Sequence, residues 1–365
     1  MWLYYLLFAW MCYLNFIANR PGSRLSGKVQ FFLSMLPAVA ISAFRGVGVG
    51  TDTEQYITAV GLLDSLGYDE YMSLGMYGDY EPGFILLLKL CTFFPDPAFA
   101  LICISSLLIF GVQYYVLYKT SANPGSSYFL YFLGTMYYFG LTGMRQALAV
   151  SFVMMAFMCL DRNDGTRAVL WTGLAITFHY TALIFVPLLL VSRVNPSKKI
   201  WLTMGVAIAV LILVAPLSPI LFTVIGKYNG YVKYGGEYLV SGRMMPIIQI
   251  TFFGYMLYAY QCAINHLKLK DGSREVMFAN IGVYSSFLGV LVGIVTMEVN
   301  LFYRFMYFLI PIQCITLSTI FKGDLSRKMK LIKGVAYAAF VLLFIAFLFV
   351  DSGWFGINQY ALYWN

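Results

Sequence analysis

DRNDGTRAVLWTGLAITFHYTALIFVPLLLVSRVNPSKK, residues 161–199, is the stretch on which the layout of the chain turns. Its apolar middle, 168–192, is bracketed by Arg162 and Arg167 before it and by Arg193, Lys198 and Lys199 after it. Short loops rich in Lys and Arg stay on the cytoplasmic side of a membrane. Both ends of the segment therefore belong to that side, and its 25 residues must enter the bilayer and return. That length suits two short helices of about 16–18 Å each, at 1.5 Å per residue. The turn falls near Phe178-His179-Tyr180, at membrane depth. Non-helical backbone is tolerated there only where protein buries it or a wet cavity lines it.

Working outward, the 365 residues are 61% apolar or aromatic and only 11% charged. Soluble domains carry about 25% charge, so a soluble enzyme, a nucleic-acid binder and a disordered scaffold are excluded. The class is all-α, a polytopic integral membrane protein. Apolar stretches able to span lie at 2–18, 29–44, 98–118, 127–142, 145–160, 200–224, 247–264, 277–297, 301–321 and 334–350. With the hairpin counted twice, about 12 membrane helices are expected, in one membrane domain covering 1–365. Segment 82–95 is placed at the outer interface, because a crossing there would turn every later basic loop outward. Basic loops at 19–28, 161–167, 192–199, 265–275 and 322–333, with Lys119, hold 17 of the 24 basic residues. The opposite side holds 11 of the 16 acidic ones. Both termini are therefore expected outside. The first 18 residues lack a basic n-region and a cleavage site, and read as a first span. Six cysteines scattered through apolar stretches indicate neither disulfides nor zinc, and no metal or cofactor is expected.

Two outer loops follow, 45–97 and 225–246. The first has eight carboxylates against Arg45 and Lys89, and Tyr56, Val60 and Leu63 recur in it at helical spacing. That spacing suggests interfacial helices. No cytoplasmic loop exceeds about a dozen residues, and no GxxxxGK[ST] occurs, so a nucleotide domain has no room. Chemistry must then use outer carboxylates, His179 and the arginines. Arg145 begins a span, Arg304 lies in the apolar run 301–307, Arg243 ends the second outer loop and Arg45 starts the first. A guanidinium in a membrane segment is costly unless paired or wet, and its fork fits phosphate oxygens. An internal ion pair or snorkelling explains such arginines equally simply. Asp52 and Glu54 are acid/base candidates, although Thr51-Asp-Thr-Glu54 also reads as a helix capping box. Glu81 before Pro82 reads either as a site carboxylate or as a helix start. His179 has acid/base chemistry within reach of neutral pH. The stripe Gly282, Ser286, Gly289, Gly293 suits close helix packing.

Gly50-Thr-Asp52…Tyr56, Glu81-Pro-Gly-Phe84, Met144-Arg-Gln146-Ala-Leu-Ala149, Phe178-His179-Tyr180-Thr-Ala182 and Tyr303-Arg304-Phe305, in this order, resemble the EpsG-type, Wzy-like family of bacterial polysaccharide polymerases. The layout is also similar to lipid-dependent glycosyltransferases of GT-C architecture. The resemblance implies a metal-independent glycan polymerase in the bacterial cytoplasmic (inner) membrane, its site facing the exterior. Its donor and acceptor would be oligosaccharide repeat units on undecaprenyl diphosphate, the donor's carrier being released as the diphosphate. A chain-length regulator is a further candidate partner, and nucleic acid is not. In that reading Arg145, Arg243 and Arg304 hold the diphosphate, with Arg45, Glu81, Tyr180, Gln146 and Glu54 as further binding candidates, and Asp52 or His179 takes the acceptor proton. Two alternatives remain: a GT-C transferase using a polyprenyl-phosphate sugar, and a lipid-linked sugar flippase.

Overall fold

The computed structural model describes residues 2–18, 20, 25–74, 80–196, 198–214, 244–267, 269, 272–298, 300–348, 356–357 and 360–364. The described chain is helical, with one isolated antiparallel bridge, Arg45 to Leu362. It divides into two compact units, Met1–Leu189 with Phe344–Asn365, and Leu190–Leu343. The second outer loop of the sequence reading, with Arg243, falls outside the described residues up to position 243.

In the first unit α1 (Trp2–Ala18) and α2 (Gly27–Ala43) occupy the first two expected spans. The stretch read from sequence as the first outer loop holds α3 (Thr53–Leu66), the short α4 (Tyr68–Met72) and α5 (Pro82–Cys91). At ten residues, α5 is about 15 Å long, half the thickness of a hydrocarbon core. Then α6 runs over Pro97–Thr120 with a wider turn at Leu107–Gly111. It starts where Asp96 accepts the Phe99 amide at 2.9 Å and Pro97 takes the first helical position.

The expected span 127–142 is broken in two, α7 (Pro124–Leu133) and α8 (Met136–Thr142). The break is at Gly134-Thr135, where Thr135 takes a left-handed φ of 62°. Residues 130–144 are all buried, so protein shields the interrupted backbone from lipid. A buried polar chain ties these helices to the next: Tyr131 donates to Gln113 Oε1 at 2.6 Å, and Gln113 Nε2 donates to Ala147 O at 3.1 Å and Ser151 Oγ at 3.0 Å.

Helices α9 (Met144–Asp161) and α10 (Gly165–Phe178) form an antiparallel pair. Asp164 caps the second by accepting the Arg167 amide at 3.0 Å. The helix stops at His179, whose backbone is extended (φ −161°, ψ 121°). A 3-10 turn, Tyr180–Phe185, packs back against α9 and α10 and leads into α11 (Val186–Val191). The expected interruption near 178–180 is therefore present.

The second unit holds α12 (Lys198–Val214), α13 (Met244–His266), α14 (Arg274–Thr296), α15 (Met306–Ile320) and most of α16 (Arg327–Ala346). A Cβ on Gly282 would come within 2.7 Å of the Tyr260 ring, and Gly289 and Gly293 face Phe253 and Ile250. The small-residue stripe is thus the groove into which α13 sets its large side chains. Gln313 bonds Ser285 and Ser286 at 2.8 and 3.1 Å beneath it. Among the described residues five helices are long and apolar enough to cross a membrane: those over 97–120, 144–161, 244–266, 274–296 and 327–346. The chain is an all-α polytopic membrane protein.

Candidate functional site

The α9–α10 pair dictates the position of the site. Arg145 lies 17 residues before the Arg162 turn, and His179 lies 15 after Asp164. At 1.5 Å per residue both are roughly 22–26 Å from the turn, at the same end of the pair. Helix α5 reaches that end because Gly83 has no side chain. A Cβ there would stand 2.8 Å from the Thr177 carbonyl oxygen and 2.9 Å from the Phe178 ring. Pro82 fills the first helical position, so Glu81 is the N-cap residue and its carboxylate makes no cap bond. It reaches instead toward the α9–α10 end.

There Glu81 Oε2 accepts from Arg145 Nη1 at 2.6 Å, and Glu81 Oε1 lies 4.0 Å from His179 Nδ1. The carboxylate is 6% exposed, the guanidinium 22% and the imidazole 21%. One nearly buried anion thus lies between two partly open cationic or basic groups. Arg145 sits over the Tyr80 ring at 4.3 Å, with Tyr56 at 5.7 Å and Phe84 at 5.9 Å. These rings meet edge-on at 5.2–6.1 Å. An aromatic wall under a guanidinium adds cation–π attraction and holds its plane. His179 Nδ1 accepts the Thr181 amide at 3.3 Å, with the Thr181 hydroxyl 2.7 Å away. Accepting that bond takes the Nδ1 lone pair, so the neutral ring carries its proton on Nε2.

Asp52 is the N-cap residue of α3, half-buried and without a side-chain cap bond. The helix starts one residue later than a Thr51–Glu54 capping box would have it, with Asp52 in the N-cap place. The Thr53 hydroxyl is used otherwise, donating to Val49 O at 2.8 Å and to Leu141 O at 3.3 Å. Gly50 makes this possible, with φ +92° and its Cα against the Leu141 carbonyl, where a Cβ would collide. The loop is thereby pinned four residues before Arg145, and α3 delivers Tyr56 to the aromatic wall one helical turn after Asp52. Glu54 is exposed, Gln146 is buried beside Arg145, and Tyr180 is 50% exposed.

Of the arginines described in the first unit, Arg45 is not in this group. Arg45 is buried elsewhere in the first unit, its Nη1 donating to Ser42 O and Ser42 Oγ at 2.8 Å and to Ser106 Oγ at 3.1 Å. Burial pushes its guanidinium down to about 10, still protonated at pH 7. Arg304 is half-buried in a 3-10 turn, Asn300–Phe305, of the second unit, and Arg243 lies outside the described residues. Among the described residues no three His, Cys, Asp or Glu side chains gather as a metal site. Sequence reasoning did not single out Tyr80. Its signal is the i, i+4 spacing of Tyr80 and Phe84 across a Glu-Pro helix start.

The fold and this cluster define an all-helical, multi-span membrane protein with a charged and aromatic group at the mouth of a helix pair. The EpsG family model matches residues 28–362, so the chain belongs to the EpsG family. It is a Wzy-like polysaccharide polymerase. No curated protein and no solved structure matches the chain.

Proposed function

We propose that Glu81, Arg145 and His179 form the reaction centre, joining repeat units carried on undecaprenyl diphosphate at the outer face of the bacterial inner membrane. The membrane part is read as about twelve helices in a GT-C-like arrangement, with both chain ends outside. The positive-inside pattern of the loops supports that direction. The observation that carries the reading is the Glu81–Arg145 ion pair beside an imidazole at a helix break.

In the reaction an acceptor hydroxyl attacks the anomeric carbon of the donor glycan. The carbon–oxygen bond to the diphosphate breaks, and the leaving oxygen keeps the electron pair. Arg145 meets the charge growing on that group, which needs no metal in this proposal. A diphosphate carries more charge than a carboxylate and competes with Glu81 for the fork. Glu81, released, turns its charge to His179 4.0 Å away. The acceptor proton goes to His179 Nδ1, which gives up the bond it accepts from the Thr181 amide, and the Glu81 carboxylate stabilises the imidazolium. Asp52, a helical turn from Tyr56, is the alternative base. Arg243 and Arg304 would add further positive charge, Gln146, Tyr180 and Glu54 are placed for hydroxyl contacts, and Arg45 serves the fold.

Arg145→Ala tests the reading. Expected is a protein still inserted in the membrane, with product halted at one repeat unit on a glycan ladder. A normal ladder from that variant would remove the diphosphate role of Arg145.

A further inference from the structure

Arg45 is 1% exposed, yet only one of its nitrogens is satisfied. Among the described residues its hydrogen bonds all come from Nη1, to Ser42 and Ser106. Among the described residues Nε and Nη2 have no partner. Those two nitrogens share one edge of the planar guanidinium and present two parallel N–H donors, the edge that grips an anion side-on. Among the described residues no carboxylate pairs with it. Its electrostatic neighbours are Tyr137, Tyr4, Tyr360 and Cys103, phenols and a thiol that are neutral at pH 7. The Tyr4 hydroxyl, also buried, likewise lacks a partner, and the Tyr4 ring meets those of Tyr137 and Tyr360 edge-on at 6.4 and 5.8 Å.

A buried charge without a counter-charge carries one of the heaviest penalties in folding, and unmet donors add to it. Losing the proton gives no escape near neutral pH, because the guanidinium stays charged there. A counter-ion from solution does.

We propose that the free Nε–Nη2 edge of Arg45, with the Tyr4 hydroxyl, binds a small monovalent inorganic anion, a halide such as chloride. The near-complete burial admits neither a lipid headgroup nor a sugar phosphate. The ion would sit at a junction of the first unit. Ser42 ends α2, Ser106 belongs to α6, and the C-terminal segment is fastened alongside by Gly46 N–H to Ala361 O at 2.7 Å, Tyr363 N–H to Phe44 O at 3.0 Å and the Tyr360 hydroxyl to Ile41 O at 2.9 Å. Halide occupancy then stabilises the entry of the loop that leads through Gly50 to α3. None of this depends on the polymerase reading.

The test uses purified full-length protein in lipid nanodiscs, melted in sodium chloride and in sodium gluconate at matched ionic strength. Expected is a saturable rise in Tm of about 3–5 °C with chloride, reproduced by bromide, from mass action on the folded state. Arg45→Met is expected to lose the halide response. An equal Tm in the two wild-type salts, or the same response in Arg45→Met, overturns the proposal. Since Arg45→Met can fail to fold, bromide anomalous scattering on wild-type crystals is the independent readout. A peak on the Nε–Nη2 edge supports the site, and a water or a carboxylate of this chain there overturns it.

Discussion

Glu81→Gln separates binding from turnover at the proposed centre. Glutamine keeps the shape of the side chain and removes its charge. Two consequences of opposite sign follow from the geometry. Glu81 Oε2 holds Arg145 at 2.6 Å in a setting only 6% open, so a diphosphate must displace it. Removing the competing charge is worth about 1.4 kcal/mol to the incoming anion, or tenfold tighter binding. Turnover moves the other way. A unit charge at 4 Å contributes about 4 kcal/mol at an effective dielectric of 20. His179 is 21% exposed, so about half of that survives for the imidazolium. Losing about 2 kcal/mol slows the chemical step roughly 30-fold. The assay pairs calorimetric titration of inorganic pyrophosphate with single-turnover chain extension on lipid-linked repeat units. Tighter pyrophosphate with slower extension is expected. Weaker pyrophosphate binding, or unchanged extension, would refute the exchange of Glu81 between Arg145 and His179.

Two further outcomes test the supports of the site and the chain around it. Gly83→Ala sets a methyl 2.8 Å from the Thr177 carbonyl, so α5 must back away from α10; a shift near 1 Å at Glu81 is expected to cut extension about 100-fold, with membrane insertion unchanged on a blot and a modest loss of Tm. Tyr363 bonds Asp96 at 3.0 Å, and burial with that bond pushes its phenol up to about 12. A folded value above the unfolded value of about 10 means that this contribution is complete below pH 10 and is lost as pH climbs toward 12. Melting curves across that window should fall more steeply for wild type than for Tyr363→Phe.

The helix break at His179 was legible, because basic loops on both sides of a 25-residue apolar segment imply that it turns back, with room for two short helices. Gly83 and Gly50 stood in recognisable motifs, but their reason is spatial, since each admits a backbone carbonyl of a distant element. The Glu81–Arg145 pair joins residues 64 apart and could not be read from local spacing. Arg45 shows the same limit from the other side. An arginine at the end of a span looks alike whether it opens to a cavity or is buried against Ser42 and Ser106. The break at Gly134-Thr135 was hidden for a further reason. An apolar run reports burial, and burial is what allows an interrupted helix to persist at depth.

Charge balance gives the proposed centre a requirement of its own. Glu81 and Arg145 together are neutral, which suits a site that waits empty beside a bilayer. A lipid diphosphate ester brings about two negative charges, and its departure as a leaving group adds a third. One guanidinium cannot meet that, even after Glu81 lets it go, and the protonated imidazole supplies only one charge more. The proposed reaction therefore calls for at least one other cation. Arg45 is held by Ser42 and Ser106 and is too buried to serve. Arg304 and Arg243 are the arginines that the sequence reading assigns to the outer side, and the proposal gives them this part. The proposal expects losing both to cost most when the carbon–oxygen bond is breaking, and least when the acceptor binds.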